Sequence, residues 1–145
     1  MATPKIRLTS DEMRYIALFE STTGATASDC IIDNDHDRII FLTKAGDMGL
    51  AIGKAGKNIN NLRGMIGKPI EVVEAADTVE GLVKNSLSPA RIKEIRVTEG
   101  PERKIVVIEV ESKDKALAIG KNGRTIDKTR MLAKRYFQID HVQIA

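Results

Sequence analysis

Two short stretches of this sequence put glycine, lysine and an apolar flank in a spacing that suits the holding of phosphate groups. They are Gly53-Lys54-Ala55-Gly56 and Gly120-Lys121-Asn122-Gly123. A glycine reaches positive φ at little cost and lets other atoms approach its backbone closely, so a Gly-x-x-Gly segment can make a very tight corner. Where a helix follows such a corner, its free N–H groups and partial positive charge point back into it. Lys54 and Lys121 add a full charge at each corner, and Lys57 and Arg124 add a second just inside the following helix. A single corner of this kind is most simply a tight helical turn. The second copy, with its lysine in place, shifts the reading to a cationic, backbone-lined cradle.

The copies are long. Leu50-Ala-Ile-Gly-Lys-Ala-Gly-Lys-Asn-Ile59 aligns without a gap to Leu117-Ala-Ile-Gly-Lys-Asn-Gly-Arg-Thr-Ile126, with seven of ten positions identical. Arg63 and Arg130 then fall in register, and the offset of 67 residues points to duplication. Ile52 and Ile119 precede the first glycine of each loop, and Ile59 and Ile126 follow the second. These isoleucines are either core residues or the walls of an apolar groove beside the loop. Aromatic residues make up only 3% of the chain, and none of Tyr15, Phe19, Phe41, Tyr136 and Phe137 falls in an expected loop, so aromatic stacking platforms are not expected.

The elements that position the loops are legible on either side. Before each block lies an apolar run, Arg38 to Thr43 and Lys104 to Glu109. A polar turn separates each run from another strand-like segment, Asp29 to Asp33 and Ile92 to Thr98, which reads as a hairpin. Thr9-x-x-Glu12 has the form of a capping box, and Asp77-x-x-Glu80 is expected to play a similar part before Leu82 and Val83. Pro89 closes that second helix. After each loop, Ile59, Leu62 and Ile66, and then Ile126, Ala133 and Phe137, share one helical face. Short strands, 69–73 and 139–144, end the two halves. The expected fold class is α+β, with the order α-β-β-α-α-β twice over. The halves are 1–75 and 76–145, with almost no linker, and are expected to pack as one rigid unit.

Charge follows the repeat. Overall the chain carries a net +3, yet residues 44–68 carry +4 and residues 111–135 carry +5, so the remaining residues sum to −6. Positive charge gathered in two windows of an otherwise acidic chain is the footprint of a polyanion partner.

Other chemistry finds little support. A P-loop needs four residues between its glycines and then Gly-Lys-Ser/Thr; Gly49 and Gly53 have three between them, and Ala55 follows Lys54. His36, His141 and Cys30 lack metal-ligand spacing. Asp29, Asp33, Asp35 and Asp37 lack the pattern of a calcium loop and read as a solvated hairpin turn. No Ser-His-Asp or Cys-His arrangement is suggested. The expectation is a non-enzyme with no cofactor, no metal and no small-molecule substrate. No apolar run approaches the ~20 residues of a membrane span, and the N-terminal segment has no apolar stretch for secretion. The lone Cys30 fits a reducing, cytoplasmic setting and a buried position in a strand.

Ile52-Gly-Lys-Ala-Gly56 and Ile119-Gly-Lys-Asn-Gly123, between short helices and flanked by strands, resemble the KH signature. The extra helix and strand ahead of each core resemble the type II KH arrangement. That resemblance implies that each loop clamps about four nucleotides of single-stranded RNA backbone. It gives Ile52, Gly53, Lys54, Ala55, Gly56, Lys57, Ile59 and Arg63 as one set of RNA-binding residues. The other set is Ile119, Gly120, Lys121, Asn122, Gly123, Arg124, Ile126 and Arg130. The tandem pair, covering nearly the whole chain, resembles the archaeal-type NusA family of transcription elongation and termination factors. This resemblance implies nascent RNA and the transcription machinery as partners. At 145 residues there is no room for the N-terminal polymerase-binding domain or the S1 domain of bacterial NusA. The alternatives are a KH-type adaptor for a protein partner and a ribosome-biogenesis factor that binds ribosomal RNA.

Overall fold

The structure, a computed structural model, describes residues 6–145. The reading of the N-terminal segment as free of a secretory signal therefore lies outside the described residues for its first five positions. The chain divides into two compact units that meet between Ala75 and Ala76.

In the first unit, α1 (Ser10–Thr23) begins at a complete capping box. The Glu12 amide donates to Thr9 Oγ1 at 3.2 Å, and Thr9 N donates to Glu12 Oε1 at 2.7 Å. This satisfies two amides that the helix itself leaves unpaired. Gly24, at φ 77°, ends the helix in the left-handed conformation. The strands β1 (Ala27–Asp33) and β2 (Arg38–Thr43) form the expected antiparallel hairpin, with Cys30 opposite Phe41. The short helix α2 (Met48–Ile52) and α3 (Lys57–Ile66) flank the first glycine loop. The chain then returns as β3 (Ile70–Glu74), parallel to β2, giving a sheet of order β1-β2-β3.

The second unit repeats the plan with α4 (Val79–Leu87), β4 (Ile92–Glu99), β5 (Lys104–Val110), α5 (Lys115–Ile119), α6 (Arg124–Phe137) and β6 (His141–Ile144). Its sheet order is β4-β5-β6, again with one antiparallel and one parallel pair. The α4 cap differs from expectation by one residue. Thr78, not Asp77, sits at the extended N-cap, and its hydroxyl accepts from Gly81 N at 3.0 Å. Both residue types can cap; the backbone turns helical one residue later than the Asp77-Glu80 spacing suggested.

Each unit buries its own core between helices and one sheet face. Phe19, Cys30, Ile39, Phe41, Ala51, Ile59, Leu62 and Ile70 fill the first, where the rings of Phe19 and Phe41 stack at 4.6 Å. Val83, Leu87, Val106, Ile108, Ala118, Ile126, Ala133 and Val142 fill the second. Each fully buried Leu, Ile or Phe contributes about 1.5–3 kcal/mol, so both helices beside each loop are anchored by burial rather than by propensity. Ala51 and Ala118, both with no exposed surface, occupy the same place in the two short helices. A small side chain there lets α2 and α5 lie close to their sheets.

The start of each short helix is held by a carboxylate. Asp47 Oδ2 accepts from Thr26 N at 2.9 Å, and Asp114 Oδ2, 67 residues on, accepts from Arg91 N at 2.8 Å. The Arg91 guanidinium also donates to Asp114 at 2.9 Å. That hydrogen bond, with the Arg91 backbone amide next, holds the Asp114 carboxyl below the usual carboxylate range.

The aspartate-rich hairpin is not uniformly solvated. Asp35 and Asp37 are exposed, but Asp29 and Asp33 are buried. Asp33 Oδ2 accepts from Nε of Arg38 at 2.8 Å, and Glu71 Oε2 accepts from Nη1 at 2.9 Å. The Arg38 side chain is wholly buried, and its Nη2 has no hydrogen-bond partner. A buried guanidinium needs such carboxylates, because its desolvation costs several kcal/mol. Replacing Arg38 with Met should leave Asp33 and Glu71 facing a neutral site and lower unfolding stability by about 3–5 kcal/mol. Urea denaturation of the two proteins measures this; a loss below about 1 kcal/mol would contradict it.

Candidate functional site

The two glycine loops have nearly the same backbone although their residues differ. Gly53 has φ 77° and ψ 171°, and Gly120 has φ 79° and ψ 167°. The third positions, Ala55 and Asn122, are left-handed at φ 55° and 56°, and the last glycines follow at φ 75° and 77°. The same bonds close both turns. Gly53 N donates to Gly49 O at 2.9 Å and Gly56 N to Gly53 O at 3.1 Å; Gly120 and Gly123 repeat these at 2.9 and 3.1 Å. Three of four residues at positive φ exceed what the glycines alone announce. Asn tolerates that region better than Ala, so the first loop carries the more strained third position.

The glycines serve different ends. A Cβ at Gly53 would lie 2.7 Å from Cγ of Asn58, and one at Gly120 would lie 2.7 Å from the Thr125 amide nitrogen. The first glycine of each loop is thus required by space as well as by φ. Around Gly56 and Gly123 a Cβ finds no contact closer than 3.4 Å, so only the left-handed φ requires glycine there. Asn58 holds the first turn shut, its Nδ2 donating to Leu50 O at 2.7 Å.

Helices α3 and α6 start at Gly56 and Gly123, and no side chain caps either start. The positive end of each macrodipole therefore meets the loop without a side-chain acceptor, while the first amides, Lys57 N and Arg124 N, donate to the loop carbonyls Lys54 O and Lys121 O. Lys54, Ala55, Lys57, Lys121 and Asn122 are exposed, while Arg124 is half-buried. None of Lys54, Lys57 and Lys121 forms an ion pair with a described residue. Each loop thus offers backbone and ammonium groups together at a protruding corner.

The other expected site residues divide by burial. Ile59 and Ile126 are core residues at 7% and 4% exposure, Ile52 is half-buried against the core, and Ile119 is 39% exposed. Arg63 and Arg130 have a shared structural duty. Nη2 of Arg63 donates to Ile70 O at 3.1 Å, and Nε of Arg130 donates to Val142 O at 3.2 Å, tying the long helix to the last strand. Both remain exposed on their outer side.

In the second unit an open groove of about 330 Å3 runs beside the loop, lined by Ile119, Gly123, Ile126, Arg130, Gln143 and Ile144. A smaller depression of about 100 Å3 continues along α6 and β6, where Lys134 and His141 join Arg130. The structure thus brings Ile119, Gly123, Ile126 and Arg130 to one groove. Sequence reasoning named no residue at Gln143 or Ile144, which reach it only because β6 lies parallel to β5. It also passed over Leu50 and Leu117, which stand half-exposed beside the loops. The described residues hold no cluster of His, Cys, Asp or Glu suited to a metal ion, and no described helix is long and apolar enough to cross a membrane.

Comparison with known proteins agrees with this geometry. Residues 13–79 match the KH domain family, and residues 79–145 match the NusA-like second KH domain. A protein of Halobacterium salinarum called "Probable transcription termination protein NusA" is 40% identical over 139 residues, 96% of this chain and 98% of that one. A protein of the same name from Halococcus morrhuae is 38% identical over 141 residues, covering 97% and 99%. The crystal structure of APE1850 superposes with a TM-score of 0.85 at 42% identity, over 95% of this chain and all of that one. Two KH units in tandem, the second of the NusA kind, and near end-to-end likeness to these relatives place the chain in the archaeal-type NusA family.

Proposed function

We propose that the chain binds single-stranded RNA through both glycine loops, without catalysis, and acts on nascent transcripts as a transcription elongation or termination factor. The observation that carries this reading is the duplicated corner. Two loops of different sequence hold one backbone conformation, and each presents an exposed lysine at the uncapped start of a longer helix. A phosphate accepts hydrogen bonds from such a backbone and is attracted by both the dipole and the ammonium group. Two loops of this type would hold on the order of eight nucleotides, at about four per KH module. The covalent tether between the modules is short, so the second contact becomes intramolecular and the pair gains avidity. Gly53 and Gly120 would set the shape of each clamp, and Lys54 and Lys121 would supply charge. Arg63 and Arg130 would hold the groove wall while offering their outer faces to the strand. The transcription role rests on the relatives named for termination.

The side chains at the two middle positions of each loop are exposed, which allows a test that spares the core. Lys54→Asp with Ala55→Asp, and separately Lys121→Asp with Asn122→Asp, place carboxylates in the clamps; Asp tolerates the left-handed third position. Fluorescence anisotropy with single-stranded RNA should show each double variant weakened at least ~10-fold, with circular dichroism unchanged. Binding by the parent chain should fall with salt at a log–log slope of about −0.7 per phosphate contacted. Unchanged affinity in both double variants would remove the clamp. In cells, crosslinking should recover nascent transcripts; recovery of mature ribosomal RNA alone would favour ribosome biogenesis over a role in transcription.

A further inference from the structure

Three of the ten positions in the repeated block differ between its copies, and two of these differences bear on one another. The third loop residue is Ala55 in the first copy and Asn122 in the second, and the second residue after the loop is Asn58 against Thr125. The backbone at the third position is nonetheless the same, left-handed at φ 55° and 56°. Asparagine enters that conformation readily. Alanine does not, and it stays there only where its surroundings impose the angle.

Asn58 is placed to impose it. Its Nδ2 donates to Leu50 O at 2.7 Å and to Thr23 O at 3.5 Å. These carbonyls lie in the last turns of α2 and α1, where a helix leaves its acceptors unpaired. One amide group with two N–H donors thus pins the start of α3 to the ends of two other helices. With both ends of the loop fixed, the residues between them cannot relax, and Ala55 is held left-handed. The second copy has no such latch. Among the described residues no side chain donates to Leu117 O, and the Thr125 hydroxyl has no hydrogen-bond partner. The latch is present where the third residue is alanine and missing where asparagine makes it unnecessary.

We propose that Asn58 is the positioning residue of the first RNA clamp, keeping the loop in its binding shape before RNA arrives. A preformed loop gives up less freedom on binding, so losing the latch shows as lost affinity. The inference rests on the reading of the loops as RNA clamps, and the two can fail separately. The full chain carrying Lys121→Asp and Asn122→Asp serves as the background, so that the first loop is the one read. Asn58→Thr, Ala55→Asn and the two together are compared in it by titration with single-stranded RNA. NMR follows solvent exchange of the Gly56 amide, which donates to Gly53 O in the closed turn. Asn58→Thr should weaken binding about three- to tenfold, the range of one hydrogen bond, and should speed Gly56 exchange in the RNA-free protein. Adding Ala55→Asn should restore both, while Ala55→Asn alone should leave both near the background values. This non-additivity is the signature of one shared task, and a general packing defect from Asn58→Thr would not be repaired by Ala55→Asn. Weakened binding with unchanged exchange would make Asn58 a direct RNA contact and overturn the inference. Faster exchange with unchanged affinity would leave it a structural residue and overturn it too, as would failure of the rescue. So would an Ala55→Asn that strengthens binding equally with and without Asn58. A background chain with no RNA affinity at all sinks the clamp reading of the first loop, and Asn58 with it.

Discussion

The close approach of each loop's first glycine to the helix that follows, Gly53 to the Asn58 side chain and Gly120 to Thr125, is the constraint from which the rest follows. There the chain leaves a short helix and re-enters a longer one with room for no side chain between them. Three residues at positive φ are needed to make the reversal. The result is a corner that cannot collapse inward, so Lys54 and Lys121 stay in solvent and the start of the next helix stays uncapped. The exposed cationic corner on which the proposed RNA clamp rests therefore follows from the backbone path at these points.

The surrounding fold keeps that path rigid. Ala51 and Ala118 let the short helix lie close to the sheet, while Ile59 and Ile126 anchor the first turn of the long helix in the core. Asp47 and Asp114 hold the start of each short helix to the chain entering the first strand. Arg63 and Arg130 tie the long helix to the last strand. These four devices recur at one offset, so the duplication copied the supports together with the loop. The modules diverge farther away. Arg38 with its two carboxylates belongs to the first alone, and the longer α6, with Lys134 beside the groove, belongs to the second.

Much of this was legible before any coordinates. The repeat, the hairpins, the order of elements and the helix faces were all written in periodicity and turn chemistry, because each depends on residues close in sequence. What was not legible depends on partners far apart. The burial of Asp33 could not be foreseen, since it requires Glu71 to arrive on a parallel strand beside Arg38. The groove contributions of Gln143 and Ile144 have the same origin. Ile59 and Ile119 could each have been core or groove by pattern, and only burial separates them. Thr78 displaced Asp77 as a cap because neighbouring residues with equal aptitude cannot be ranked by type alone. The left-handed Ala55 was hidden for a different reason: alanine gives no sign of such a conformation.

In the proposed clamp, backbone amides of the two corners touch the RNA. Amide chemical shifts of the full chain, followed by NMR while single-stranded RNA is added, test it most directly. The largest changes should fall within Gly53–Asn58 and within Gly120–Thr125. Changes confined to other surfaces, with both corners silent, would contradict it.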